Sequence, residues 1–127
     1  MSDIEVIAGE SIGPIRLGMK KAELPSGTKL EADISGELQG IHFMLDQNVV
    51  CEVWIPNLRA FPTPIRFNGH TVARDATGDV LKKTFGPCTR IEGVIGGTRY
   101  QCTPGVALGF DFEESGAFVQ LRVQTKR

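Results

Sequence analysis

Alternation of apolar and polar residues on both sides of a short polar turn constrains this chain more than any other feature. In Ile41-His42-Phe43-Met44-Leu45-Asp46, the residues Ile41, Phe43 and Leu45 share one side while His42, Met44 and Asp46 share the other. That is the period-two pattern of a half-buried strand. Asp46-Gln47-Asn48 supplies a turn, and the chain returns with Val49, Cys51, Val53 and Ile55 against Val50, Glu52 and Trp54. The segment predicts a β-hairpin with one core face and one opposite face, and a slip of one residue would exchange the two.

The same reading extends along the chain. Ile4 to Ala8 reads as an edge strand, followed by turns at Gly9-Glu10-Ser11 and Gly13-Pro14. Gly18 to Leu24 allows only a short helix, because Pro25 stops it. Asn57 to Pro64, flanked by Pro56 and containing Pro62, reads as a linker. Asn68-Gly69 between Ile65-Arg66-Phe67 and His70-Thr71-Val72 is a tight-turn signal. Asp75 or Thr77 can cap a helix with an apolar stripe of Val80, Leu81 and Phe85, ended by Gly86-Pro87. Strands then follow at Thr89 to Val94 and Thr98 to Thr103, around Gly96-Gly97. The last hairpin turns at Glu113 to Gly116, with a core face of Val106, Leu108, Phe110, Phe112, Val119, Leu121 and Val123.

The expected fold class is therefore α+β: an antiparallel sheet of hairpins with one or two short helices on one face. At 127 residues, the chain has the length of one domain rather than two. Its balance of 14 basic and 15 acidic residues gives no general pull toward phosphate backbones or anionic lipid, so neither nucleic acid nor membrane is an expected partner. The Lys126-Arg127 end reads as solvated. Cys51, Cys88 and Cys102 lack CxxC or Cys/His spacing, so reduced thiols are expected and no zinc site or other cofactor is. The N-terminal segment carries acidic residues where a secretion signal needs positive ones, and no apolar run approaches transmembrane length. A cytoplasmic location is expected.

The two halves, about 1–56 and 65–127, share an order of elements: a short helix, a strand and a Gly-led hairpin, as in Gly40 to Asp46 and Gly105 to Asp111. Two related halves contributing to one continuous sheet are expected. The segment Ile12-Gly13-Pro14-Ile15-Arg16-Leu17-Gly18-Met19-Lys20-Lys21-Ala22-Glu23-Leu24 resembles the strand, Gly-Met and short-helix opening of the β-lactamase-inhibitor-protein-like fold group, which includes small outer-membrane assembly lipoproteins. The resemblance implies a tandem fold whose open concave sheet face meets a partner protein. The short first helix and the absence of a secretion signal depart from the exported members. For a cell-internal version, the resemblance implies an immunity-type protein encoded beside a bacterial toxin. The matching motif is structural and carries no functional residue across.

Candidate chemistry is sparse. His42 and His70 have no ligand-spaced neighbours, and His70 reads as solvated. Cys51 and Cys102 fall on core faces, and Cys88 follows a helix C-terminus, which disfavours a thiolate. Asp111, Glu113 and Glu114 read as a solvated turn. Gly93 to Gly97 and Gly105 to Gly109 lack the lysine and the strand-to-helix context of a phosphate loop.

The face opposite the core is more informative. On the first hairpin it carries His42, Met44, Val50, Glu52 and Trp54, and on the second half Arg99, Gln101, Asp111, Phe118, Gln120 and Arg122. Aromatic and Met side chains rimmed by charges are the composition of a protein-binding patch. Trp54 is either on that open face or a core residue. The sequence points to a non-catalytic module that binds a partner protein through its sheet face, which the resemblance implies is of immunity or inhibitor type and occludes that partner, with self-association open as well. The alternative is a small-ligand binder or enzyme with a pocket between sheet and helix.

Overall fold

The polar turns close where the alternation ends. Gln47 and Asn48 take φ of 51° and 65°, and Asn68 and Gly69 take 51° and 82°, the left-handed pairs that match the twist of two-residue hairpins. The computed structural model describes residues 3–73, 75–91, 97–111 and 118–125. The expectations placed on Phe112, Glu113, Glu114, Gly96 and the Lys126-Arg127 end lie outside these.

In chain order the strands are β1 (Ile4–Ile7), β2 (Ser11–Ile12), β3 (Ile15–Arg16), β4 (Lys29–Ala32), β5 (Ser35–Leu38), β6 (Ile41–Asp46), β7 (Val49–Ile55), β8 (Ile65–Phe67) and β9 (His70–Val72). The helix α1 (Gly78–Phe85) follows, then β10 (Thr89–Ile91), β11 (Thr98–Gln101), β12 (Val106–Phe110) and β13 (Val119–Val123). Single 3-10 turns lie at Lys21–Glu23 and Leu58–Ala60. The result is the expected α+β class, dominated by antiparallel sheet, with one short helix among the described residues.

The strands form a five-stranded sheet, β3-β2-β1-β8-β9, and an eight-stranded sheet, β10-β11-β12-β13-β7-β6-β5-β4. Both orders are mirror-like about the meeting of the two halves: β1 lies against β8 in one sheet, and β7 against β13 in the other. The expected continuous sheet is thus formed by the β13–β7 ladder.

One hydrophobic cluster runs through both sheets and the helix. It includes Val6, Ile12, Ile15 and Phe67 from the small sheet, Leu81 and Phe85 from α1, and Phe43, Val53, Leu108 and Leu121 from the large one. The Phe67 and Phe85 rings meet at 4.7 Å. Thr77 caps α1 by accepting from the Val80 N–H at 3.3 Å, satisfying one of the unpaired amides of the first turn.

Several expectations are corrected. β1 is not an edge strand: it sits between β2 and β8, pairing parallel with β8 through Ile4↔Ile65 and Val6↔Phe67. That partner lies some sixty residues away, beyond any local signal. Val80 is half exposed, so the buried stripe of α1 is Leu81 and Phe85 alone. The Pro-rich linker is packed, since Leu58 and Phe61 join the core.

The largest correction concerns β7. A bulge pairs Met44 with Glu52 but Leu45 with Val50, leaving Cys51 as the extra residue. Val50, expected on the open face, is therefore buried, and Cys51, expected in the core, is exposed. Nor are all thiols reduced, because Cys88 and Cys102 form a disulfide. They flank the directly paired residues Thr89 and Gln101 at the end of the β10–β11 hairpin, and this cross-strand proximity is set by the fold rather than by sequence spacing.

Candidate open-face site

The small sheet and α1 supply their buried side chains to one side of the eight-stranded sheet. Alternate residues of the large sheet point to the other side. Antiparallel pairing places Thr89, Gln101, Ala107, Arg122, Trp54, His42, Glu37 and Lys29 in one transverse row, with one residue from each strand. A second row runs Glu52, Met44 and Ser35 across β7, β6 and β5. Below the bulge of β7 the pleat matches the sequence expectation, and His42, Met44, Glu52 and Trp54 share this face.

The centre of the row is a set of contacts rather than a list of neighbours. The Arg122 guanidinium carbon lies 5.0 Å from the Trp54 ring centroid, within range of a cation–π contact. On the other flank of Trp54, the His42 ring stands 5.9 Å away at 30°. Arg122 Nη1 forms an ion pair with Glu52 on β7, and Nη2 donates to Gln120 Oε1 at 3.3 Å. Arg122 Nε is buried with no acceptor among the described residues. Burial pushes the guanidinium below its ordinary pKa, since the charged form is disfavoured away from water.

This geometry resolves the alternatives for Trp54. It lies on the face opposite the core, half buried because Arg122 and His42 flank it. Met44 remains 37% exposed and Phe118 42% exposed. With Val50 withdrawn into the core, Trp54 and Met44 are the apolar centre, and Arg122, Glu52, His42 and Gln120 surround it.

The remaining expected site residues are farther apart. Arg99 and Gln101 on β11 are separated from β13 by β12, which presents only Ala107 and Gly109 on this face. Phe118 precedes β13, four positions from Arg122 and hence about 13 Å along an extended chain. Asp111 follows β12 directly. Arg99 and Gln101 share the face with Trp54 through the strand register, and Gln101 lines one cleft together with Glu52. Glu37 and Lys29 belong to the same row and were missed, because their register follows only from the β5 and β4 ladders.

At one end of the face opens a cleft of about 650 Å³ lined by Cys51, Glu52, Gln101, Cys102, Pro104, Gly105, Gln124 and Thr125. An apolar hollow of about 240 Å³ lies between Leu58, Phe61, Ile65 and Val72. Between α1 and the large sheet, Lys82 Nζ lies 3.2 Å from the Tyr100 hydroxyl and 4.4 Å from its ring centroid. Among the described residues no three His, Cys, Asp or Glu side chains gather as a metal-binding group. No helix of the described residues is long and apolar enough to cross a membrane.

Comparison of the chain with models of known protein families, with curated proteins and with solved structures gives no match.

Proposed function

We propose that the chain is a non-catalytic binding module of immunity or inhibitor type, which docks a partner protein on the open face of its eight-stranded sheet and occludes that partner's active site. One observation carries this reading. Trp54 is fixed between Arg122 and His42 on a face whose alternate residues point away from the core, with Met44 exposed beside it. An aromatic already held in place loses little freedom on binding, and Trp and Arg are the side chains that dominate binding hot spots. The order of elements in the two halves is compatible with the tandem, open-faced fold that the opening segment resembles.

The partner in this proposal is a toxin or another enzyme. The cytoplasmic setting expected from the N-terminal segment fits an immunity-type protein, whereas the Cys88–Cys102 disulfide suits an inhibitor-type protein in an oxidising compartment.

The test is capture from native lysate on wild type and on Trp54→Ala, followed by identification and titration calorimetry of the captured protein. Trp54→Ala is expected to weaken its binding by about thirtyfold or more, the effect of a hot-spot residue. Lys83→Ala, on α1 away from this face, is expected to leave binding unchanged. Equal affinity for wild type and Trp54→Ala overturns the reading.

A second reading is favoured by the cleft beside Cys51. Its lining by Glu52, Gln101, Gln124 and Thr125 suits a small polar ligand rather than an apolar one. It lies at the end of the sheet face and not between sheet and helix. A thermal-shift screen of polar metabolites, with Gln101→Leu as control, separates this reading from the first.

A further inference from the structure

β4 closes one edge of the eight-stranded sheet, and all four of its residues are exposed. Such an edge presents unpaired backbone groups to any approaching strand. Leu30 on this strand is 47% exposed, and Ile34 in the following turn is 59% exposed. Beside Leu30 an open hollow of about 730 Å³ is lined by Lys20, Lys21, Ala22, Gln47, Asn48 and Val49.

The charges on this edge discriminate between partners. Lys29 and Glu31 have no ion-pair partner among the described residues. A lone edge lysine ordinarily repels an incoming strand because its charge meets nothing complementary. A second copy of the same strand differs, because it brings a glutamate two positions away.

Two copies related by a two-fold axis perpendicular to the sheet keep the same face outward, so the axis must pass through a residue rather than between residues. Within β4 the central choices are Lys29, Leu30 and Glu31. An axis through Lys29 puts lysine against lysine, and one through Glu31 puts glutamate against glutamate. An axis through Leu30 puts each Lys29 opposite the other copy's Glu31, with Leu30 against Leu30 at the centre.

We propose that β4 is a homodimerisation edge, in which two copies pair antiparallel about Leu30 with reciprocal Lys29–Glu31 contacts. Glu31 is the extra residue of the bulge between Leu30 and Ala32, so backbone pairing is confined to Lys29 and Leu30 and Glu31 meets the other copy's Lys29 through its side chain. The contact is short, so the dimer is weak, with a dissociation constant on the order of 100 μM. It extends the large sheet through both copies, so the two open faces lie side by side and a partner with two sites gains avidity.

Sedimentation equilibrium up to about 1 mM protein tests this, using wild type, Lys29→Glu and the doubly reversed Lys29→Glu/Glu31→Lys. These side chains are exposed, so the substitutions leave the core untouched. Wild type is expected to dimerise. Lys29→Glu places like charges at both contacts and is expected to weaken the dimer about tenfold or more, since an attractive cross-strand pair becomes a repulsive one twice over. The double reversal is expected to restore the wild-type constant to within about threefold.

A wild type that stays monomeric overturns the proposal. So does a dimer indifferent to Lys29→Glu, or one that the double reversal fails to restore. Trp54→Ala lies on the open face and is expected to leave the dimer intact.

Discussion

Arg122 and Trp54 occupy directly paired positions on β13 and β7, the two strands through which the halves of the chain meet, and their side chains stack across that junction at 5.0 Å. The contact therefore ties the midpoint of the open face to the ladder that makes the large sheet continuous. Glu52 adds a second tie, because it is on β7 and holds Arg122 from the side.

A double-mutant cycle measures the stacking directly. Trp54→Ala and Arg122→Ala are expected to destabilise by less together than the sum of their separate effects, with a coupling of about 0.5–1 kcal/mol for a partly exposed cation–π pair. Urea unfolding of the four proteins provides the readout. Strict additivity would mean that the two side chains stack without mutual stabilisation.

Removing Glu52 leaves the Arg122 guanidinium without its counter-ion in a site where Nε already lacks an acceptor among the described residues. The two side chains are only 18% and 23% exposed, so the pair is not an ordinary solvated surface bridge. Glu52→Ala is expected to cost about 1–3 kcal/mol. Glu52→Leu/Arg122→Met is expected to recover most of that loss, since it removes both charges rather than orphaning one. Urea midpoints compare the variants. Equal stability of Glu52→Ala and wild type would show that water replaces the carboxylate at no cost.

The parts of this fold that were legible in the sequence are those set by neighbours along the chain. Gln47-Asn48 and Asn68-Gly69 announce left-handed turns. Thr77 announces the start of α1. The alternation from Ile41 to Leu45 and from Val119 to Val123 announces which side faces the core. What was not legible depends on residues far apart. The parallel pairing of β1 with β8 joins segments from different halves, and the Cys88–Cys102 bond needs a hairpin to bring its sulfurs together. The bulge at Cys51 is a local event with a large effect: one extra residue moved Val50 inward and Cys51 outward while Glu52 and Trp54 kept their side. Of the open-face residues, the pleat identified Trp54 and Arg122, but only the register showed that they touch.

Two strand glycines make opposite demands. A Cβ on Gly36 would lie 2.6 Å from both the Lys29 carbonyl oxygen and Phe43 Cζ, so β5 can pass over the Phe43 ring only without a side chain. A Cβ on Gly109 would meet Gln120 Cβ at 3.6 Å, an ordinary contact. Gly36→Ala is expected to destabilise by about 1–3 kcal/mol through overpacking. Gly109→Ala is expected to stabilise by about 0.5 kcal/mol through the loss of backbone freedom in the unfolded chain. Thermal unfolding distinguishes the two signs. A loss of partner affinity in the stabler Gly109→Ala would locate a close approach of the partner over β12.

The disulfide gives the last prediction, which bears on where the protein works. Cys88 and Cys102 are separated by 14 positions in sequence, and closing a loop of that size restricts the unfolded chain by about 3 kcal/mol in the chain-entropy description. The bond also fastens β10, an edge strand of three residues, to β11 and to the buried end of the hairpin at Cys102. Cys88→Ser/Cys102→Ser is therefore expected to lower stability by about 2–4 kcal/mol. Dithiothreitol is expected to lower wild type by a similar amount and to leave the double variant unmoved. Peptide mapping without reductant should recover the Cys88 and Cys102 peptides joined, with Cys51 alone reacting with iodoacetamide in the folded protein, since its thiol is exposed. If both cysteines alkylate freely in protein isolated from its native source under non-reducing conditions, the thiols are reduced where the protein works, and an oxidising setting is the wrong one.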